Sequence, residues 1–137
     1  DDYVLVWDVA SGRSQFIPKT DTQPNTAAWA PDGRQFAITD DRGRVILWDA
    51  ATTRRDASFQ SHDEAGWSYG LAWSPDGAMI ASSRQSGLLQ VWDARTGKEL
   101  AAIQGHTNAI WGLAWSPDGL LIASVSDDET VHLWGVR

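Results

Sequence analysis

The amino-acid sequence predicts an all-β fold built from repeated units of four short strands. Three observations predict it: tryptophan recurs on a fixed pitch, Pro-Asp-Gly turns recur on the same pitch, and no long window carries the 3.6-residue apolar period of a helix. Trp7, Trp48, Trp92 and Trp134 are separated by 41, 44 and 42 residues, and Trp29, Trp73 and Trp115 by 44 and 42. In each unit the two series keep one offset of 19 residues. Self-similarity at this period marks a repeat architecture, in which each unit buries its apolar surface only by stacking on its neighbours.

The elements follow in order. Tyr3 to Trp7 and Ser14 to Ile17 read as two leading strands. Each unit then carries an inner run ending in Trp, a Pro-Asp-Gly turn, and a return run: Trp29 to Gly33, Trp73 to Gly77 and Trp115 to Gly119. In that turn Pro presets φ, Asp tolerates the second central position and Gly takes positive φ. In the last unit the turn joins Gly112 to Ser116 with Leu120 to Ser124, and a second turn, Asp127 to Glu129, leads into Thr130 to Trp134. Leu100 to Gln104 is the outer run of the unit before. Val45-Ile46-Leu47-Trp48 is apolar on both faces, as a strand between two layers must be. Gly70 and Ala72, like Gly112 and Ala114, fit inner strands crowded near an axis.

Composition narrows the class. The chain has 137 residues, formal charge −7, 42% apolar and 21% charged residues, and no cysteine. Disulfide frameworks and thiolate metal sites are excluded. The acidic balance argues against binding a phosphate backbone, which needs clustered Lys and Arg. No apolar run reaches the roughly 18 residues of a membrane span and no signal peptide opens the chain, so a cytoplasmic location is expected. Met79 is the only Met and the chain starts at Asp1, so it is expected to begin inside a longer protein.

Three Trp-Asp dipeptides (Trp7-Asp8, Trp48-Asp49, Trp92-Asp93), two Trp-Ser-Pro-Asp-Gly turns and a Gly105-His106 pair, all on one spacing, resemble the WD40 family of β-propellers. Trp134-Gly135 is the departure from the dipeptide. The resemblance covers essentially the whole chain. It implies four-stranded antiparallel blades, about three of them, in an incomplete ring. On that mapping, residues 1–18 are leading third and outer strands, 19–61 repeat 1, 62–105 repeat 2, and 106–137 repeat 3 without its outer strand. It also implies a buried Asp-His-Ser-Trp tetrad, mapping onto the last unit as His106, Ser126, Asp128 and Trp134. The unit ending at Trp92 keeps His62 but has Arg84 and Ser86 at the Ser and Asp places. The unit ending at Trp48 has Asp40 and Arg42 there and no His.

Propellers close with typically 4–8 blades. About three units therefore leave two apolar terminal faces to be covered, either by the rest of a longer propeller or by other copies completing the ring. Ser14 to Ile17 could donate the missing outer strand of the last unit. The repeats also look like those of bacterial multi-domain signalling proteins, which would make the chain a sensor or regulatory part.

The candidate chemistry is thin. Gly66-Trp67-Ser68-Tyr69-Gly70 matches the nucleophile-elbow pattern but lacks the following helix that a strand-to-helix elbow needs. His62-Asp63-Glu64 has no second His at ligand spacing, and zinc needs three or four converging ligands. Asp40-Asp41 and Asp127-Asp128 read as turn residues rather than calcium ligands, Arg54-Arg55 as a solvated pair, and His132 as solvent-facing. No enzyme activity, cofactor or metal is expected. Surface recognition of a protein or peptide remains. In the resembling family the narrow top face binds partners, and its recurrent exposed place falls here on Asn25, Tyr69 and Trp111, with Trp67 beside them in a loop two residues longer. Trp and Tyr are enriched at binding hot spots, and the acidic chain favours a basic peptide. The competing reading is that Trp111 and Tyr69 only pack against the adjoining blade, which the exposure of the Trp111 indole decides.

Overall fold

The computed structural model describes residues 4–17, 21–60 and 66–136. Thirteen strands and no helix are found among them: β1 (Val4–Asp8), β2 (Arg13–Ile17), β3 (Pro24–Trp29), β4 (Gln35–Asp40), β5 (Val45–Asp49), β6 (Arg55–Phe59), β7 (Leu71–Trp73), β8 (Met79–Ser83), β9 (Leu88–Asp93), β10 (Glu99–Gln104), β11 (Ile110–Trp115), β12 (Leu121–Ser126) and β13 (Val131–Gly135). They form antiparallel sheets in chain order: a β1–β2 pair, blade 1 (β3 to β6), blade 2 (β7 to β10) and a three-stranded blade 3 (β11 to β13). Among the described residues these are a leading strand pair, two four-stranded blades and a last blade of three strands.

The core lies between blades. Phe36, Ile38, Ile46 and Trp48 of blade 1 meet Val4 and Val6 of β1. The opposite face of blade 1, with Ala37, Val45, Leu47 and Phe59, meets Leu71, Trp73, Ile80 and Trp92 of blade 2. Ala81, Leu89 and Val91 of blade 2 meet Ile110 and Ile122 of blade 3. The strands of blades 1 and 2 are apolar on both sides because those two sheets are buried on both. Gly70 is required just before the inner strand β7: a Cβ there would come within 2.6 Å of Ser83 Oγ and 2.8 Å of Leu113 Cγ.

Repeated side-chain bonds hold the blades in step. Trp73 Nε1 donates to the Ala28 carbonyl (3.1 Å) and Trp115 Nε1 to the Ala72 carbonyl (3.2 Å), each reaching the inner strand of the preceding blade. Thr39 Oγ1 donates to the Ser68 carbonyl (3.0 Å) and Ser83 Oγ to the Ile110 carbonyl (3.1 Å), each reaching the following blade. At the next equivalent place stands Val125, which has no hydroxyl.

The arc is open at both ends. Val131 and Leu133 are 65% and 68% exposed, whereas their equivalents Leu89 and Val91, covered by blade 3, are 1% and 6% exposed. Trp29 is 54% exposed against 8% for Trp73. Ser14 to Ile17 pairs with β1 in the register Trp7↔Ser14 and Val4↔Ile17, as the outer strand of the leading pair.

Candidate partner-binding surface

The loops entering β3, β7 and β11 lie at the same end of their blades. Their backbones are tied by equivalent bonds: Asp41 N to the Gln23 carbonyl, Gln85 N to the Trp67 carbonyl and Asp127 N to the Ala109 carbonyl, each 3.0 Å. Two residues after each tied carbonyl come Asn25, Tyr69 and Trp111. In blades 1 and 3 the pairing skips a residue there, between Pro24 and Thr26 and between Ile110 and Gly112. Asn25 and Trp111 are thus bulge residues, and a bulge re-aims a side chain out of its strand's alternation.

The three aromatic side chains make a ladder. Tyr69 and Trp111 stack with ring centroids 4.3 Å apart and planes 25° apart. Trp67 and Tyr69 stack at 6.3 Å and 18°. Trp111 is 51% exposed and Trp67 38%, so packing on Tyr69 leaves both outer rings open to solvent. One buried hydroxyl positions the Tyr69–Trp111 step: Ser83 Oγ accepts the Gly70 N–H at 2.8 Å and donates to the Ile110 carbonyl at 3.1 Å, touching the neighbours of both rings. Asn25 sits apart from the ladder, and its Nδ2, like Asp41 Oδ1 beside it, is buried without a hydrogen-bond partner.

The hydrogen-bond chain in blade 3 runs through a different serine from the one expected. His106 Nδ1 donates to Asp128 Oδ2 at 2.8 Å, Ser124 Oγ contacts His106 Nε2 at 2.7 Å, and Trp134 Nε1 donates to Ser124 Oγ at 2.8 Å. A proton on Nδ1 suits the Asp128 carboxylate, and Nε2 faces the Ser124 hydroxyl. Ser126 is two residues on, on the same face of β12 but past the reach of both rings, and it bonds the Asn108 carbonyl and the Asp128 N–H. The same correction holds in blade 2. Trp92 Nε1 donates to Ser82 Oγ at 2.9 Å, so Ser82 holds the Ser place and not Arg84. Arg84 instead bonds Gln90 Oε1 and the Gly66 carbonyl. His62 lies outside the described residues. In blade 1 the Ser place is Ile38, and Trp48 Nε1 is left buried without a partner. Asp40 there builds its own network with Thr22 Oγ1 (2.6 Å) and Arg44 Nε (2.7 Å).

Burial would raise the Asp128 carboxyl, but the Thr130 hydroxyl, the Thr107 N–H and the His106 ring hold it well below the ordinary carboxylate range. His132 is not solvent-facing: it stacks on His106 with centroids 3.9 Å apart. It shares strand parity with Trp134, whose ring points the same way.

A profile of the WD domain, G-beta repeat family matches residues 54–93 and 97–135, more than half of the chain. The chain belongs to the WD40 family. Over 58 residues it is 36% identical to an Arabidopsis thaliana protein described as cell division cycle 20.1, cofactor of APC complex, covering 40% of this chain and 13% of that protein. A chain in the crystal structure of the mitotic checkpoint complex superposes with a TM-score of 0.86 at 28% identity, covering 97% of this chain and 40% of that one. The WD40 chain thus spans well under half of the relatives it matches.

Within this WD40 scaffold, Ser83, Thr39, Ser82 and Ser124 are the residues that sequence reasoning missed. Their signal was present: small hydroxyl residues recur at fixed offsets before the closing Trp, Ser82 and Ser124 each ten residues ahead of it. Ser68 of the elbow-like pattern is 1% exposed and its carbonyl is tied to Thr39, in a loop that enters a strand. That burial and context do not suit a nucleophile elbow. Among the described residues, no group of three or more His, Asp or Glu gathers as metal ligands would.

Proposed function

We propose that this chain is a non-catalytic protein-recognition module whose contact surface is the face carrying Asn25, Trp67, Tyr69 and Trp111. The single observation that carries the reading is the exposed, positioned Trp67–Tyr69–Trp111 ladder. Large rigid aromatics lose little side-chain entropy on contact and dominate interface hot spots. The WD40 family assignment supports an interaction scaffold, and the similar proteins are described as a cofactor of the APC complex and a member of the mitotic checkpoint complex. Photo-crosslinking tests it. A crosslinker at position 111 should capture a protein that a crosslinker at position 32, in a turn at the opposite end of the blades, does not. Capture that ignores the position, or survives Trp67→Ala, overturns the assignment of the surface.

A second reading is favoured by Val131 and Leu133, exposed where their equivalents are covered. That face would be covered by further blades or by a second copy completing a ring. Light scattering on the 137-residue chain separates the two, since a monomer at micromolar concentration excludes self-assembly.

A further inference from the structure

We infer that the Trp67–Tyr69–Trp111 ladder takes the guanidinium of an arginine in a basic segment of a protein partner, the cation lying flat on an outer indole. The inference deepens the recognition reading above and rests on it. Three observations carry it.

The first is the shape of the ladder. The rings are close to parallel, 18° and 25° between neighbours, and the stack ends in the two exposed indoles, Trp67 and Trp111. An indole face is the negative side of its quadrupole and attracts a cation above it. A planar guanidinium can continue a stack, whereas an ammonium is a compact, more strongly hydrated point charge.

The second is the charge around it. Asp127, whose N–H is bonded to the Ala109 carbonyl of the Trp111 loop, is exposed, as is Glu129 in the same turn. Asp41, at the equivalent place in blade 1, has a carboxylate oxygen buried without a hydrogen-bond partner. Of the cations on the same turns, Arg44 is committed to Asp40 and Asp21 and Arg84 to Gln90 and the Gly66 carbonyl, while Arg42 is exposed. Carboxylates therefore outnumber uncommitted cations here, in a chain of formal charge −7.

The third is rigidity. The Ser83 bridge and the tied Trp67 and Ala109 carbonyls hold the ladder before any ligand arrives. A preorganised platform loses less on binding. A nucleic-acid strand could also stack on it, but the same carboxylates repel phosphates.

The test uses the 137-residue chain and 12-residue Gly-Ser peptides carrying three Arg, three Lys or three citrulline residues, with oligothymidylate as the nucleic-acid probe. Binding is read from the indole N–H resonances of Trp67 and Trp111, assigned by substitution. The Arg peptide should shift both resonances and bind roughly 3- to 10-fold more tightly than the Lys or citrulline peptide. Trp111→Ala should weaken it by a similar factor, while Trp111→Phe, which keeps a π face, retains most of the affinity. Equal binding of all three peptides, or tighter binding of oligothymidylate, overturns the inference. Panning a random peptide library separates this failure from that of the broader reading. Non-basic ligands lost on Trp111→Ala would refute arginine and keep the surface. A library yielding no ligand sensitive to Trp111→Ala would refute both.

Discussion

Replacing Ser124 with Ala should be among the most damaging small changes in blade 3, and replacing Ser126 among the mildest. Ser124 is fully buried, and its oxygen serves two rings: it contacts His106 Nε2 at 2.7 Å and accepts from Trp134 Nε1 at 2.8 Å. Deleting that oxygen leaves the His106 Nε2 and the Trp134 indole N–H without that partner. A buried polar group left without its partner costs about 1–3 kcal/mol. Two such groups, sharing one site and so not fully additive, give about 2–4 kcal/mol. Ser126 Oγ makes two bonds near the surface, to the Asn108 carbonyl and the Asp128 N–H, which water can replace. Its loss should cost under about 1 kcal/mol. Urea unfolding followed by far-UV circular dichroism reads the difference, because the midpoint shifts by ΔΔG divided by m. With m of about 2 kcal/mol per molar, Ser124→Ala should lower the midpoint by about 1–2 M and Ser126→Ala by less than about 0.5 M. Equal shifts, or a larger one for Ser126→Ala, would refute the assignment of Ser124 as the link between His106 and Trp134.

Four further outcomes are expected. Trp92→Phe should destabilise by about 1–2 kcal/mol more than Trp48→Phe in the same urea assay, because Trp92 Nε1 donates to Ser82 and Trp48 Nε1 has no partner to lose. Glu129→Gly should raise stability by about 1 kcal/mol, since Glu129 holds φ at 67° where the equivalent turns carry Gly43 and Gly87 at 70° and 87°; an unchanged or lowered midpoint would contradict it. The lowered Asp128 carboxyl contributes stability above the unfolded value of about 3.9, lost as pH falls toward the folded value. Wild type should therefore lose midpoint more steeply below about pH 4 than Asp128→Asn, and parallel declines would count against it. Ser83→Ala should broaden or split the Trp111 indole resonance and weaken ligands of the ladder without contacting them, whereas a ligand affinity equal to wild type would show that the bridge does not position the rings.

The repeat was legible in the sequence because its period is carried by residue identity: Trp, Pro, Asp and Gly are each demanded by a turn or a ring-sized gap. Strand order and the missing outer strand of blade 3 followed once that period was mapped onto the WD40 blade it resembles. The errors share one cause. Ser124 and Ser126 lie on the same face of β12, as His132 and Trp134 do on β13, so two-residue alternation alone leaves open which of each pair meets a partner. The choice is made by register. Ser124 stands opposite His132 and Ile122 opposite Trp134, which lets the indole reach diagonally back to Ser124. Register depends on the paired strand, and no local pattern contains it. The exposure of Trp111 was undecidable for a related reason: the bulge between Ile110 and Gly112 breaks the alternation just where the side chain matters.

The bulges also explain why recognition and stability can coexist in the same few residues. Ile110 is fully buried between blades 2 and 3, and Gly112 lies beside Val125 on the next pleat, yet Trp111 between them turns outward. Tightening the core around Ile110 therefore does not bury Trp111, and replacing Trp111 does not open the core. The outcome differs at Asn25, where the pairing skips a residue in the same way but the amide nitrogen is buried without a hydrogen-bond partner. The three equivalent places are therefore not alike: only those on blades 2 and 3 offer rings to solvent, so a bound chain would find its flat contacts there, and substitutions at Trp111 should weaken it more than substitutions at Asn25.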